Sequence, residues 1–186
     1  MTLTEQALRL AVVAHKEQLR KSDGSPYISH PIMVAMLLQQ YGFDEITVAA
    51  GLTHDVLEDT AVTESELRAA LGDEVVNYVN AVSEDTSLEW EDRKERYVAA
   101  VAAASVGAKA VCIADKIHNA ESVISDYAQK GKAVWSVFNR GKAKKLWFEE
   151  LVYTEVSKTW QHPLLDRYRT AIDQLHTLAD GHRPNN

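Results

Sequence analysis

Asp44-Glu45-Ile46-Thr47-Val48-Ala49-Ala50-Gly51-Leu52-Thr53-His54-Asp55-Val56-Leu57-Glu58-Asp59-Thr60 sets the reading of this chain. An aspartate ahead of an apolar run caps a helix by accepting a free backbone N–H of the first turn, so Asp44 predicts a helix from Glu45 to about Leu57. The segment is apolar enough to be buried. Yet four side chains able to bind a metal or handle protons, His54, Asp55, Glu58 and Asp59, fall within six positions near its end. Ionised carboxylates rarely enter a core unless they are paired or bind a metal, because their hydration is costly to remove. Asp55 is not explained as a cap, since it falls late in its helix, where the helix dipole disfavours negative charge. If the helix continues, Glu58 and Asp59 return to the same face as His54 and Asp55.

Outward from this stretch the pattern is helical almost throughout. Thr4 can cap a first helix in which Leu8, Ala11, Val12, His15 and Leu19 share a face, ended by the turn at residues 22–26. Pro31 suits a first helical position, and Gly42 can close that helix after Tyr41. Thr63-Glu64-Ser65-Glu66 is a capping box opening a short helix that Gly72 stops. Val75, Val76, Val79 and Val82 then form a buried stripe at helical spacing. Longer helices are expected over about 90–105 and 108–126, the second with Val111, Ala114, Ile117 and Ile124 inward and Asp115 and His118 on or beside that face. Gly131 and Gly141 set off helical segments at 132–140 and 142–160. Pro163 precedes a last helix through about Leu178, and residues 181–186 read as a frayed tail. No strand alternation, fixed repeat or low-complexity linker interrupts this. The expectation is a single all-α domain over residues 1–186, loosely bundled.

Size and composition bound the function. A chain of 186 residues fits one compact domain, and 46% hydrophobic residues argue against disorder. No apolar run approaches the roughly 18–20 residues a membrane helix needs, and MTLTEQALRL lacks a signal-peptide pattern. Cys112 is the only cysteine, which rules out an internal disulfide and fits a reducing cytoplasm; it reads as a small core hydrophobe. A net charge of −7 disfavours nucleic acid and anionic lipid as partners. An anionic small substrate would need a local positive patch or a metal.

Two further clusters, Pro26-Tyr27-Ile28-Ser29-His30-Pro31 and Ala114-Asp115-Lys116-Ile117-His118-Asn119, accompany His54-Asp55. His30, His54, Asp55 and Asp115 would offer two imidazole nitrogens and two carboxylates with coordination positions left open. Such a set suits Mn²⁺, Fe²⁺ or Zn²⁺. Glu58 and Asp59 beside it could serve as acid/base groups; without the histidines, Glu58-Asp59-Thr60 would read as a solvated helix exit. His118 is expected behind the ligands or in the core, and His15, His162, His176 and His182 as surface or packing residues. Trp90, Trp135, Trp147 and Trp160 read as packing, and Lys142, Lys144 and Lys145 as a solvated face. Together the clusters read as a metal-dependent phosphohydrolase.

The His…His-Asp…Asp pattern resembles the HD superfamily. The blocks at residues 18–31, 54–60 and 114–119, in this order and spacing, resemble the hydrolase domain of RelA/SpoT-type alarmone enzymes. The resemblance spans residues 4–130, and the size matches stand-alone small alarmone hydrolases. It implies Mn²⁺-dependent hydrolysis of the 3′-pyrophosphate of (p)ppGpp, or the adenine equivalent, to pyrophosphate and GDP or GTP. The family's metal ligands then fall on His30, His54, Asp55 and Asp115, and its catalytic pair on Glu58 and Asp59. Its nucleotide-pocket residues fall on Arg20, Lys21, Ser22, Asn119 and Ser122. Lys116 stands where arginine is common in the long enzymes, and from Glu121 onward the resemblance fades. Two other readings remain open. One is a different HD phosphohydrolase, acting on deoxynucleotides, cyclic nucleotides or the 2′-phosphate of NADPH. The other is a non-catalytic alarmone-binding HD module. The Arg20-to-Pro31 block favours the alarmone reading over the first, and the Glu58-Asp59 pair counts against the second. The sequence leaves open guanine against adenine, the phosphate number, the resident metal and the oligomeric state.

Overall fold

Capping chemistry sets where the helices begin in the computed structural model, which describes residues 1–21 and 23–179. Helix α1 (Leu3–Ala14) starts at Thr2, whose hydroxyl accepts from the Glu5 N–H at 3.1 Å. Thr4, the expected cap, sits inside the first turn, and its own N–H donates to Glu45 Oε1 at 3.0 Å. A distant carboxylate thus satisfies one of the first-turn donors of the helix that Thr2 begins. The buried face of α1 is Ala7 and Ala11; Val12 is 44% exposed, and Leu19, beyond the helix, 63%. Small side chains face inward because α1 packs closely along α3.

Helix α2 (Ser29–Gln40) carries Pro31 at its third residue rather than its first, still within the turn whose N–H groups need no helical partner. Gly42 follows its end at φ +78°, a conformation that favours glycine. Asp44 caps α3 (Glu45–Thr53) by accepting from the Thr47 N–H at 2.8 Å. The single helix expected to reach Leu57 is broken: α3 stops at Thr53, and α4 (Val56–Asp59) restarts after the His54-Asp55 pair. The capping box forms as expected ahead of α5 (Glu64–Leu71), and Val75, Val76 and Val79 of the valine stripe are buried on α6 (Asp73–Ala81), with Val82 buried just past its end. Helix α7 (Trp90–Ala103) leads to α8 (Val106–Lys130), which Ser105 caps. With 25 residues α8 is longer than expected and takes in Gly107, because Ser105 starts it earlier and only Gly131 ends it. A 3-10 helix (Gly131–Val137) replaces the helix expected at 132–140, followed by α9 (Gly141–Ser157) and α10 (Pro163–Ala179). The tail at 181–186, His182 included, lies outside the described residues.

Among the described residues there is no strand, only an isolated bridge between Leu19 and Pro26, so the all-α expectation holds. None of the described helices is long and apolar enough to cross a membrane. Helix α8 is the axis on which α2, α3, α6 and α10 pack. Its first half buries Val111, Ile113, Ala114 and Ile117 in the main core. Ala120 and Val123 in its second half join a smaller core with Val134, Leu146, Ala171 and Leu175. That division puts metal-type side chains at one level of α8 and a partly apolar cavity wall at the next.

Close approach of α2 and α3 requires Gly51, where an added Cβ would lie 2.5 Å from Leu38 Cδ1 and 3.4 Å from Val34 Cγ1. Both neighbours are fully buried and have nowhere to retreat. Alanine in a helix interior normally gains about 1 kcal/mol over glycine, whereas overpacking costs about 1–3 kcal/mol. We expect overpacking to win, so Gly51→Ala lowers the urea midpoint. A raised midpoint would show that α2 and α3 are less tightly apposed.

Candidate metal centre

The first turn of α2, the break between α3 and α4, and the middle of α8 bring four side chains into one space. His54 Nδ1 lies 2.8 Å from the Gly51 carbonyl oxygen. A carbonyl only accepts, so Nδ1 carries the proton and Nε2 is the nitrogen facing the cluster. That Nε2 lies 3.0 Å from Asp55 Oδ2 and 3.7 Å from Asp115 Oδ1. His30 Nε2 mirrors it, 3.0 Å from Asp115 Oδ1 and 3.7 Å from Asp55 Oδ2. On its other side His30 Nδ1 meets His118 Nδ1 at 2.7 Å. Burial lowers the pKa of both rings, and His118, also facing His30 and Arg20, is pushed down to about 4. Two neutral rings share one proton along that contact. With His30 as donor, its Nε2 lone pair also faces the carboxylates.

Lone pairs aimed at carboxylates repel unless something positive stands between them. In the metal-free chain a proton does so: burial alone would lower the His54 pKa, but Asp55 and Asp115 hold it well above the ordinary histidine value. Burial would raise both aspartates, yet His54 beside Asp55, and Lys116 and the imidazoles beside Asp115, hold them below the usual carboxylate range. A proton kept by two carboxylates marks where a divalent cation fits. The donor set, two imidazole nitrogens and two carboxylate oxygens, suits such an ion. His30, His54 and Asp115 each offer an atom within 4.8 Å of the others.

Surrounding groups hold the carboxylates in place, as outer partners of metal ligands commonly do. Tyr27 Oη donates to Asp55 Oδ2 at 2.5 Å. Lys116 Nζ donates to Asp115 Oδ2 at 2.9 Å and stacks 5.2 Å from the ring centres of Tyr97 and Phe148. Asn119 Nδ2 donates to Asp115 Oδ1 at 2.5 Å. Sequence reading missed Tyr27, although it lies in the quoted 26–31 block, and treated Lys116 only as a departure from arginine.

Glu58 and Asp59 face different cavities. Glu58 borders a small polar space of about 70 Å³ shared with His54, Asp55, Glu84, Asp115 and Lys116. Its Oε1 accepts from the Glu84 N–H at 2.8 Å. Desolvation of the carboxyl, aided by Asp55 and Glu84, outweighs that bond and pushes its pKa up to about 6. Asp59 borders a larger cavity of about 590 Å³, together with Arg20, Lys21, Tyr27, Asn119 and Ser122. Desolvation and Asp55 raise its pKa too. Ser122 Oγ donates back to the His118 carbonyl at 2.7 Å. Ser22 lies outside the described residues.

Other expectations divide. Cys112 is buried, 3.2 Å from Tyr97 Oη, with its thiol pushed up to about 11 by burial. His15 is buried, its ring centre 5.0 Å from that of Tyr27. Lys145 is not on a solvated face: it pairs with the fully buried Glu149 and lines the larger cavity.

A family model described as HD domain matches residues 7–143, well over half of the chain. This chain belongs to the HD-domain family. The HD protein is 39% identical over 117 residues to a human guanosine-3′,5′-bis(diphosphate) 3′-pyrophosphohydrolase, covering 61% of this chain and 65% of that one. It is 32% identical over 143 residues to the enzyme of that name from Aquifex aeolicus, covering 76% of this chain and 19% of that one. The chain thus spans less than two thirds of the length of the curated relatives it matches. Lmo0812 of Listeria monocytogenes, a solved structure, superposes with a TM-score of 0.75 at 34% identity, covering 80% of this chain and 99% of that one. A metazoan SpoT ortholog described as hydrolysing ppGpp shares the fold, with a TM-score of 0.78 at 24% identity over 94% of this chain and 96% of that one.

The proton on His54 gives the metal-free HD protein a testable pH dependence. A raised folded pKa contributes stability that is fully present below the ordinary value of 6.5 and lost as pH rises through the folded value. With chelator, the urea midpoint of the wild type relative to His54→Gln should therefore fall from about pH 6 to about pH 8; the comparison cancels His30 and His118, whose lowered values act with the opposite sign. A divalent ion such as Mn²⁺ would replace the proton and make protons competitors, so with it the midpoint should rise over that range. Slopes of the same sign in both conditions would contradict a shared proton and metal position.

Proposed function

We propose that this chain is a divalent-metal-dependent hydrolase that removes the 3′-pyrophosphate of (p)ppGpp-like alarmone nucleotides, releasing pyrophosphate and GDP or GTP, or the adenine equivalents. The observation that carries the reading is the convergence of His30, His54, Asp55 and Asp115 beside a cavity lined by Arg20, Lys21 and Asn119. The names of the relatives at 39% and 32% identity support it. Those four residues would hold the ion, and Mn²⁺ suits their mixed nitrogen and oxygen set, with Fe²⁺ and Zn²⁺ as competitors. A net charge of −7 and a nucleotide-sized cavity fit a cytoplasmic enzyme of small molecules that engages neither nucleic acid nor a membrane surface.

When bound, the ion supplies Lewis acidity, drawing charge from the phosphoryl oxygens and lowering the pKa of a water. The chain's own groups do the rest. Water attacks the phosphorus joined to the 3′ oxygen, that P–O bond breaks, and pyrophosphate leaves intact. Glu58, with its pKa near 6, is largely ionised at neutral pH and accepts the proton of the attacking water. Asp59, raised on the nucleotide side, returns a proton to the departing 3′ oxygen. Arg20 and Lys21 hold the nucleotide, the guanidinium by a planar fork or stack and the ammonium as a point charge.

Purified protein with Mn²⁺ should release pyrophosphate, not orthophosphate, from ppGpp or ppApp. Glu58→Gln and Asp59→Asn should keep their metal and lose about 10²–10⁴-fold in kcat. Arg20→Ala should chiefly raise KM, since its contact is the same in ground and transition states. Near-normal turnover in both carboxylate variants would return Glu58 and Asp59 to a solvated helix exit. Turnover of NADPH or deoxynucleotides with neither alarmone cleaved would overturn the substrate and keep the metallohydrolase.

A further inference from the structure

Glu149 on α9 is 0% exposed, with no ion of the metal cluster to justify a buried carboxylate. It accepts from Lys145 Nζ one turn earlier and from Tyr168 Oη of α10 at 2.5 Å, and the same hydroxyl lies 3.2 Å from its backbone carbonyl. A buried ion pair is a poor source of stability, because desolvation offsets the attraction and apolar residues can fill the same volume. Its effect here is to fix a cation. The Lys145 side chain is 12% exposed, its ammonium 5.4 Å from the Phe138 ring centre, and it borders the larger cavity. An ammonium has three N–H donors, and Glu149 takes up one.

The cavity needs such a group. Its cations are Arg20, Lys21 and Lys145, and its carboxylates Asp59 and Asp126, the latter paired with Lys130 at 3.3 Å. A volume of about 590 Å³ is nucleotide-sized, and Val134, Val137 and Phe138 give it an apolar side for a base. A nucleotide phosphorylated at both ends can have only one end neutralised at the metal centre. The other end must find fixed cations, away from Asp55, Asp59 and Asp115.

We propose that Lys145, held by the buried Glu149–Tyr168 pair, binds the 5′-phosphates of the nucleotide in the larger cavity. That the bound phosphates are the 5′ ones and that the opposite, 3′ end is cleaved rests on the function proposed above; a phosphate site at Lys145 does not. The competing role for Lys145 is to neutralise Glu149 and nothing more.

Calorimetric titration of the full chain in chelator with GDP and with guanosine separates the two roles. The wild type should bind GDP more tightly than guanosine, and Lys145→Met should weaken GDP by about 10–100-fold with guanosine unaffected. Lys145→Met strands a buried charge, so Lys145→Met/Glu149→Gln, which keeps a partner for Tyr168, is titrated beside it and should show the same loss. Lys145→Arg should recover most of the affinity. Wild-type protein that binds GDP no better than guanosine, or a folded double variant with undiminished GDP affinity, would overturn the assignment. Lys145-dependent GDP binding without pyrophosphate release from ppGpp would overturn the alarmone reading and leave this site standing. Pyrophosphate release with GDP binding indifferent to Lys145 would do the reverse.

Discussion

Two carboxylates and two imidazoles share one largely buried space, and the charge they create there organises the structure around them. Asp55 and Asp115 each stand within 3.7 Å of both His30 and His54. Such a cluster is tolerable only with a positive charge at its centre and donors at its back. The donors are Tyr27, Lys116 and Asn119, each committed to one of the two aspartates. The break between α3 and α4 serves the same end. It releases His54 and Asp55 from continuous helical backbone, letting Nδ1 of His54 turn back onto Gly51 while Nε2 and the Asp55 carboxylate face inward.

From that centre two compartments open, one small and polar, one large. Glu58 borders the small polar space and Asp59 the large cavity, although they are neighbours in sequence. The short α4 achieves this, since consecutive residues on a helix point about a quarter-turn apart. Helix α8 serves both compartments along one face, with Asp115 at the cluster, Asn119 one turn on, and Ser122 and Asp126 beyond along the cavity. A rigid rod of 25 residues keeps these positions in fixed register.

Much of this was legible in the sequence wherever the signal is local. Asp44, the Thr63–Glu66 box and the valine stripe behave as read, because caps and amphipathic spacing depend on a few adjacent residues. The helix starts at Thr2 rather than Thr4, and the Thr4 N–H, inside its first turn, finds its acceptor in Glu45, 41 residues away in sequence. The convergence of His30, His54, Asp55 and Asp115 was anticipated from residue type and the three spaced blocks. Contacts between distant elements were not: Tyr27 meets Asp55 across 28 positions, and Tyr168 meets Glu149 across 19. The Lys145–Glu149 pair looks like any exposed i, i+4 pair until α10 closes over it. Charge pattern alone carries no information about which helix face a later element will bury.

The central property proposed for the cluster is that it holds a divalent ion. Metal-stripped protein reloaded with Mn²⁺, freed of excess and assayed for bound metal tests this directly, with Asp55→Ala and Asp115→Asn treated in the same way. Binding of one ion per chain in the wild type, and loss of most of it in both folded variants, is the predicted result. Equal metal retention in wild type and variants would contradict it, and with it the physical reason for bringing two carboxylates together at the heart of this fold.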